Sequence, residues 1–507
     1  MKFSDVVRLC RGAQSQAFPD RPILSVTQDS RNVEDGSLFV AVRGTEADGH
    51  AYVADAIRRG ATAIVAEESL GDDVTVPTLV VPDSRLALAR IASRYFDDPS
   101  SRLRCVGVTG TNGKTTTTYL IRSVFEAAGR RTGLLGTIQY EIGRRRLPAD
   151  RTTPDPVTLS EYLDDMCREG LTSAVMEVSS HALAQRRVDG VRFETGVFTN
   201  LSGDHLDYHG DMGRYREAKG LLFRNLADNA TAVLNEDDRA TSYYKEITRA
   251  RVIGYGLRGR GEVTGLVLDM GLTGTRFLLR SPWGDSEVQL KLIGRHNVAN
   301  ALAAASVGFA SGLPIERIVR GLESADCVRG RQELVTPESS PFSVMVDFAH
   351  TDDALGAVMR NLRPLVRGKL IVVFGCGGDR DREKRPRMGA MVERFSDFAF
   401  VTSDNPRSED PAAIIEDVLT GIRSRARVRT EVDRETAIRE AVGMARPGDL
   451  VLVAGKGHET TQTFDNVVIP FDDRDVAEQA LEERLGGPLQ KETKGTEVRR
   501  GRVGAGV

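Results

Sequence analysis

At roughly 150 residues per domain, a chain of 507 residues has room for about three domains with separate cores, which excludes a peptide or a single small module. Hydrophobic residues at 40% and charged residues at 28% are ordinary globular usage, so neither wholesale disorder nor a fibrous repeat fits. Sixty-nine Lys plus Arg against 72 Asp plus Glu leave a net charge of −3, too small to draw nucleic acid or an anionic membrane, so any anionic ligand must be gripped locally.

The N-terminal stretch carries Asp5, Arg8 and Arg11 among its apolar residues and so lacks a signal-peptide core, and no apolar run approaches the about 18 residues of a membrane span. Residues 3–99 alternate short apolar runs (37–42, 61–66, 78–81) with helical patterns (52–59, 84–96), which predicts a small α/β domain over 1–100. The turn-rich Asp-Asp-Pro-Ser-Ser run at 97–101 marks the boundary, and 103–109 reads as a buried strand. A second domain, 101–333, holds strand-like runs at 103–109, 172–178, 195–200 and 231–235. A third, 334–487, alternates strands at 343–348, 369–374, 398–403 and 449–454 with helices at 353–361 and 411–420. The expected fold is α/β throughout: three mostly parallel sheets with flanking helices, a phosphate-loop ATPase domain in the centre and a Rossmann-like domain at the C-terminus, with ligand loops at the strands' carboxyl ends. Residues 488–507 have almost no apolar pattern and read as a disordered tail. No internal repeat is visible. The five cysteines, Cys10, Cys105, Cys167, Cys327 and Cys376, are scattered and never in a C-x-x-C pair, which argues against a disulfide framework or thiolate zinc site and for a reducing, cytoplasmic setting.

Gly107-Val-Thr-Gly-Thr-Asn-Gly-Lys114-Thr115-Thr116 lies between the 103–109 strand and a helical pattern at 117–128, the context of a phosphate loop. Gly110 and Gly113 let the backbone bend toward a phosphate, Lys114 supplies a cation and Thr115 a hydroxyl for Mg²⁺. Val108 stands where the strict motif has its first Gly, and the alternative is a Gly-rich turn with an incidental lysine. Three further segments, 176–181 with Glu177, 199–209 with Asp204, His205, Asp207 and His209, and 215–219 with Lys219, follow strands or open helices and carry groups a cation can use. Glu177 alone could be a solvated strand end; with His205 beneath a phosphate loop it becomes a candidate Mg²⁺ ligand. The seven histidines, His50, His181, His205, His209, His296, His350 and His458, fall in polar, loop-like strings, which predicts that together they form a built site.

With Gly110-Thr-Asn-Gly-Lys-Thr115, Glu177-Val-Ser-Ser-His181, Asp204-His-Leu-Asp207 and Gly294-Arg-His-Asn-Val-Ala-Asn300 in one order, the chain resembles the Mur ligase family of ATP-dependent amide-forming enzymes. Asp29-Ser-Arg31, Thr152-Thr-Pro154, Gly378-Asp-Arg380, Asp404-Asn-Pro-Arg407 and Gly455-Lys-Gly-His-Glu459 resemble its tripeptide-synthetase branch, over about 25–480. The resemblance implies that the central domain binds ATP at Gly110, Thr111, Asn112, Gly113, Lys114, Thr115 and Thr116, with Asn297, Asn300, Arg331 and Asp347 toward base and ribose. It implies that the N-terminal domain holds a uridine nucleotide at Ser30, Thr45, Glu46 and Ala47, and that the muramoyl dipeptide meets Thr152, Thr153, Ser179, Gln185 and Arg187. It implies Mg²⁺ at Thr115, Glu177, His205 and a carbamylated Lys219, with Lys114, Glu177, His205 and Lys219 the catalytic set. The C-terminal amino-acid site would use Arg380, Asp404, Asn405, Arg407, Gly455 and Glu459, and the Asp-Asn-Pro-Arg string is the branch's pattern for meso-diaminopimelate rather than L-lysine.

The implied reaction joins meso-diaminopimelate to UDP-N-acetylmuramoyl-L-alanyl-D-glutamate through an acyl phosphate, in peptidoglycan precursor synthesis and hence cell-wall growth, shape and division. The partners are small molecules, with no nucleic acid and no membrane insertion. The chain departs from the family at Phe348 and Asp352, where Tyr and Pro are usual, and at Arg329 and Gln332 beside Gly330-Arg331, which bears on nucleotide geometry rather than on the reaction. The rivals are a sister amide ligase sharing the central domain, a phosphate-loop switch or motor, and a dead scaffold; the last is disfavoured by the presence of Lys114, Glu177, His205 and Lys219 together.

Overall fold

The computed structural model describes residues 1–10, 14–15, 20–44, 47–71, 74–337 and 339–486. Thr45 and Glu46 and the 487–507 segment, including the expected tail, lie outside the described residues. The chain forms two compact units, Met1–Val328 and the residues from Arg329 onward, and carries three mostly parallel sheets, two in the first unit and one in the second.

In the first unit, β1 (Gln14–Ser15), β2 (Ser25–Thr27), β3 (Ser37–Val40), β4 (Ala61–Ala66) and β5 (Thr78–Val80) make a five-stranded sheet in the order β1-β5-β4-β3-β2, antiparallel only at β1. The helix Ser84–Tyr95, capped by Asp83 Oδ1 accepting from the Leu86 amide, packs on the helix Pro156–Arg168 of the neighbouring layer.

The large sheet contains β6 (Arg104–Thr109), β7 (Thr132–Leu135), β8 (Gln139–Ile142), β9 (Arg145–Pro148), β10 (Ser173–Glu177), β11 (Phe193–Phe198), β12 (Thr231–Asn235), β13 (Arg251–Gly256), β14 (Val263–Gly271), β15 (Gly274–Ser281) and β16 (Gly284–Leu290). Their order is β16-β15-β14-β13-β12-β11-β6-β10-β7-β8-β9, parallel from β14 to β7 and antiparallel in both wings. Strand residues point alternately to opposite faces, and the burial follows: Val106 and Val175 join one core with Leu120 and Val124, whereas Cys105, Ala174 and Met176 join the other with Leu222 and Phe223. The first core also takes the helix Arg295–Ala310, buried on nearly every side, as its continuous run of small apolar residues allows. The wings were not legible in the sequence, where only the apolar central strands stood out.

The second unit orders its strands β17 (Glu333–Leu334), β18 (Ser343–Asp347), β22 (Leu450–Ala454), β19 (Leu370–Phe374), β20 (Phe398–Val401) and β21 (Val428–Thr430), parallel except at β17, with a separate hairpin of β23 (Thr461–Phe464) and β24 (Val467–Pro470). In the large sheet the strand order reverses at β6, with β10 on one side and β11 on the other, and such a reversal is where α/β sheets take ligands at the carboxyl edge.

Candidate active site

The 110–113 loop runs from the end of β6 into the helix Lys114–Ala127. Gly113 sits at φ 86°, and a Cβ there would lie 2.5 Å from Asn300 Oδ1; one at Gly110 would lie 1.9 Å from Thr199 Oγ1, so both positions need glycine. The loop is tied to the end of β11: the Thr111 amide donates to Asn200 O (2.8 Å), the Asn112 amide to Asn200 Oδ1 (3.0 Å), and Thr199 Oγ1 to Asn112 O (2.6 Å). The helix Lys114–Ala127 starts directly after these two amides, and a helix N-terminus of this kind favours an anion. Asn300 donates to Asn297 Oδ1 (3.1 Å) and Asn297 to Ile293 O (2.9 Å), so both buried amides of the helix Arg295–Ala310 are set beside the loop.

Two lysine Nζ atoms converge on one carbonyl. Lys114 Nζ donates to Gly110 O (3.0 Å) and Thr111 O (2.8 Å), and Lys219 Nζ donates to Gly110 O (2.9 Å). Lys219 is wholly buried, 4.3 Å over the Tyr215 ring, and burial first, then the nearby Lys114 charge, pushes its amine well below the usual lysine range. Tyr215 OH and Thr111 Oγ1 are 3.2 Å apart. Glu177, at the end of β10 and 1% exposed, accepts from Thr115 Oγ1 at 2.9 Å.

His205, in the left-handed region at φ 54°, has its Nε2 3.5 Å from Asp204 Oδ2, and its ring stands 4.8 Å from His181 and 6.4 Å from Tyr215. Burial pushes His181 and His209 down to about 4 and lowers His205, so the three rings are neutral near pH 7, the form that can ligate a cation. The expectation of one site for all seven histidines is corrected. Only His181, His205 and His209 cluster here. His50 is committed to Asp48 Oδ1 (2.6 Å) and accepts the Glu67 amide (3.0 Å), His296 lies inside the helix Arg295–Ala310, and His350 and His458 both stand against Phe348 in the second unit. Four are also helical rather than in loops: His181, His209 and His296 in α-helices and His50 in a 3₁₀ helix.

The residues expected around the dipeptide are brought together. Thr153 Oγ1 donates to Glu177 O (2.8 Å) and accepts from the Ser179 amide (3.1 Å); Arg187 donates to Thr153 O (3.0 Å) and to Gln185 Oε1 (2.6 Å). Thr153 is fully buried, so its hydroxyl positions the segment, while Thr152, Ser179, Gln185 and Arg187 stay partly open. Ser179 also caps the helix Ser180–Ala184. In the first sheet's layer, buried Ser30 opens a short 3₁₀ turn beside the Asp29–Arg31 pair (2.7 Å), and Ala47 O accepts the Gly44 amide (2.9 Å).

In the second unit, Asp347 ends β18 and its buried carboxylate accepts the Gln332 amide (2.8 Å) and the Ala349 amide (2.7 Å), while burial raises its pKa. Phe348, the atypical residue, is the platform for the Arg331 guanidinium, 4.5 Å from its centroid. Asp352 pairs with Arg387 (3.2 Å), and Arg329 pairs with Asp472, so two further departures have partners. The loop after β20 holds Asp404 and Asn405. Asn405 donates to Glu459 Oε2 (2.8 Å) and accepts from Lys456 Nζ (3.2 Å) and the Thr463 amide (3.0 Å); Lys456 also donates to Glu459 Oε2 (3.0 Å). Gly455 passes so close that a Cβ would lie 2.7 Å from Asp404 Oδ2. Arg407, at φ 51°, donates to Gly378 O (2.7 Å); burial first and then the charge of Arg380 lower its pKa, against the opposing pull of the Asp404, Glu459 and Asp379 carboxylates. Arg380 itself is exposed and donates to Asp379 O (2.9 Å). Sequence reasoning missed Thr137, which bonds Glu177, as well as Lys456 and the buried Arg434–Asp473 pair (2.7 Å) that holds Ser403 O and Ala454 O. The signal for Lys456 was its place inside an otherwise glycine-rich string; Thr137 and Arg434 gave none.

Three family domains match in order: Mur ligase family, catalytic domain, at 22–96; Mur ligase middle domain at 108–308; and Mur ligase, glutamate ligase domain, at 330–457. A UDP-N-acetylmuramoyl-L-alanyl-D-glutamate--2,6-diaminopimelate ligase of Bacillus velezensis is 45% identical over 92% of this chain and 96% of its own. The chain belongs to the Mur ligase family. A Solibacter usitatus ligase of the same name is 46% identical over 90% of this chain and 93% of its own. A solved structure of a ligase of that name superposes with a TM-score of 0.70 at 33% identity, covering 96% of this chain and 99% of that one. The Thermotoga maritima MurF ligase solved with ADP shares the fold, with a TM-score of 0.62 at 21% identity over 92% of this chain and 98% of that one.

Proposed function

We propose that this chain is an ATP-dependent ligase that joins meso-diaminopimelate to UDP-N-acetylmuramoyl-L-alanyl-D-glutamate for peptidoglycan precursor synthesis. The observation that carries the reading is whole-length similarity to ligases of that name. A carboxylate oxygen of the dipeptide attacks the γ-phosphorus of ATP, the bond to the bridging oxygen breaks and ADP leaves. The amine nitrogen of the diamino acid then attacks the acyl carbon, losing a proton as inorganic phosphate departs.

Lys114 and the helix end at Thr115 and Thr116 hold the phosphates, and Arg187 with Ser179 and Gln185 orients the peptide, so positioning and charge neutralisation supply most of the catalysis. Among the described residues no group of three or more His, Cys, Asp or Glu could hold a metal by itself. One buried carboxylate beside a threonine hydroxyl is nevertheless the sparse donor set that suits Mg²⁺, which keeps waters and shares phosphate oxygens. Thr115, Glu177, His205 and Lys219 as its carbamate would hold it; when bound, it neutralises charge on the transferring phosphoryl group. The carbamate forms as the Lys219 amine nitrogen bonds the carbon of CO₂ and releases a proton, which turns a misplaced cation into an oxygen ligand. Arg380 and Arg407 take the distal carboxylate and Asp404 and Glu459 the ammonium. Consumption of ATP and a uridine nucleotide sets the reaction in the cytoplasm.

The test is phosphate release and product mass with purified protein: release requiring dipeptide and meso-diaminopimelate together supports the reading, and release with neither would make the protein a nucleotide switch instead. A carbamate resonance after ¹³CO₂ labelling that is missing in Lys219→Ala checks the modification.

A further inference from the structure

Lys456, just past the end of β22, is wholly buried, and no part of the proposed reaction uses its charge. The turn that follows brings a neighbour back onto it. The Glu459 amide donates to Lys456 O (3.0 Å), and Gly457 takes the backbone round at φ 56°, where a Cβ would lie 2.6 Å from the Phe348 Cβ, so the turn needs glycine. Lys456 Nζ and Glu459 Oε2 thereby meet at 3.0 Å.

The loop after β20 closes the cluster. Lys456 Nζ (3.2 Å) and the Thr463 amide (3.0 Å) both donate to one terminal atom of Asn405, which must then be its oxygen. The Asn405 nitrogen is left to face Glu459 and donates to Oε2 (2.8 Å). Oε2 thus receives two donors, whereas Oε1 accepts no hydrogen bond among the described residues and the Glu459 side chain is 36% exposed. A carboxylate gripped by one oxygen keeps the other in place, so less side-chain freedom is lost when a ligand binds there. The attacking amine must be neutral; the group left for Glu459 to hold is therefore the second amine of a diamino acid, as its ammonium. The Lys456 charge repels that ammonium, but past a partly open carboxylate that water screens, while Lys456 and Asn405 grip Oε2 from buried positions, so orientation outweighs repulsion.

We infer that Lys456 is a positioning residue that holds Glu459 by Oε2 and so presents Oε1 to the ammonium beside the distal carboxylate of the diamino acid. The inference rests on the proposed function for the role of Glu459.

The experiment compares meso-diaminopimelate with L-2-aminopimelate, which keeps both carboxylates and the attacking amine but lacks the second ammonium, by steady-state phosphate release with purified protein. In Lys456→Met the KM for meso-diaminopimelate is expected to rise about tenfold, the low end of what a hydrogen bond to a charged group contributes, while kcat, the KM for ATP and the KM for L-2-aminopimelate stay as in the unmodified protein. Glu459→Gln lowers the same preference, and Lys456→Met adds nothing further in that background, because the lysine acts through the carboxylate. A preference for meso-diaminopimelate that is unchanged or raised in Lys456→Met, a KM raised equally for both amines, as a mere support of the loop would give, or losses that add in the double variant each overturn the inference. If Lys456→Met does not fold, Lys456→Gln, which keeps a donor without the charge, runs the same comparison; a chain that folds with neither makes Lys456 part of the frame and overturns it as well. Glu459→Gln with the preference intact overturns it by removing the role given to Glu459, whereas absence of phosphate release dependent on meso-diaminopimelate in the unmodified protein is the separate failure of the proposed reaction.

Discussion

The two ligand-loop regions handle buried charge in opposite ways. At the carboxyl edge of the large sheet, Glu177 and Lys219 are held by hydroxyls, amides and a carbonyl, neutral dipoles that leave each charge ready to meet that of a ligand. In the second unit three buried cations are matched by carboxylates, Arg434 with Asp473, both 0% exposed, Lys456 with Glu459, and Arg385 with Glu409 at 2.8 Å, although Asp347 is held by two backbone amides. The first arrangement suits groups that act on phosphate. The second suits a frame that fixes the loops carrying Arg380, Arg407 and Asp404, the side chains proposed to meet the amino acid.

The contrast breaks most sharply at Lys114. Lys114→Ala is expected to cut ATP turnover at least about a hundredfold in a phosphate-release assay while thermal unfolding stays as in the unmodified protein, because the residue touches loop carbonyls and no core. Arg434→Leu should behave in the reverse sense: it strands the buried Asp473 carboxylate and two carbonyls, so denaturant unfolding should show a loss of about 3 to 5 kcal/mol. Arg407→Ala separates specificity from frame; the ratio of kcat/KM for meso-diaminopimelate over L-lysine should fall about tenfold or more, since L-lysine lacks the distal carboxylate that the guanidinium would otherwise meet. The smallest effect is expected at Asp352→Ala, whose half-exposed partner Arg387 makes the pair worth about 0 to 1 kcal/mol in thermal unfolding. A large loss there would mean that this surface pair belongs with the buried frame.

Much of the fold was legible because its signals are local. A strand buried on both faces is a short apolar run, and 61–66 and 231–235 were bounded to the residue, while the other central strands differed by a residue or two at their ends. The strand-to-helix turn at 110–113 was legible because glycine at 110 and 113 answers a backbone requirement that any sequence must meet in the same way. The antiparallel wings were not: β14 carries Leu266 and Leu268 exposed, so its apolar residues do not mark a buried face, and pairing with β15 and β16 is a choice among partners.

The sequence by itself determined the order of sheet and helix, the glycine turn at 110–113 and the side-chain types available at each strand end, because propensity, turn geometry and side-chain type are properties of neighbouring residues. Tertiary structure decided which of those chemistries meet. It joined His181, His205 and His209 and sent the other four histidines elsewhere, turned Thr153 inward and left Thr152 open, and brought Thr137 from the end of β7 onto Glu177 at the end of β10, 40 positions away. Those outcomes depend on strand order and close packing between distant segments, on which a local pattern of residues carries no information.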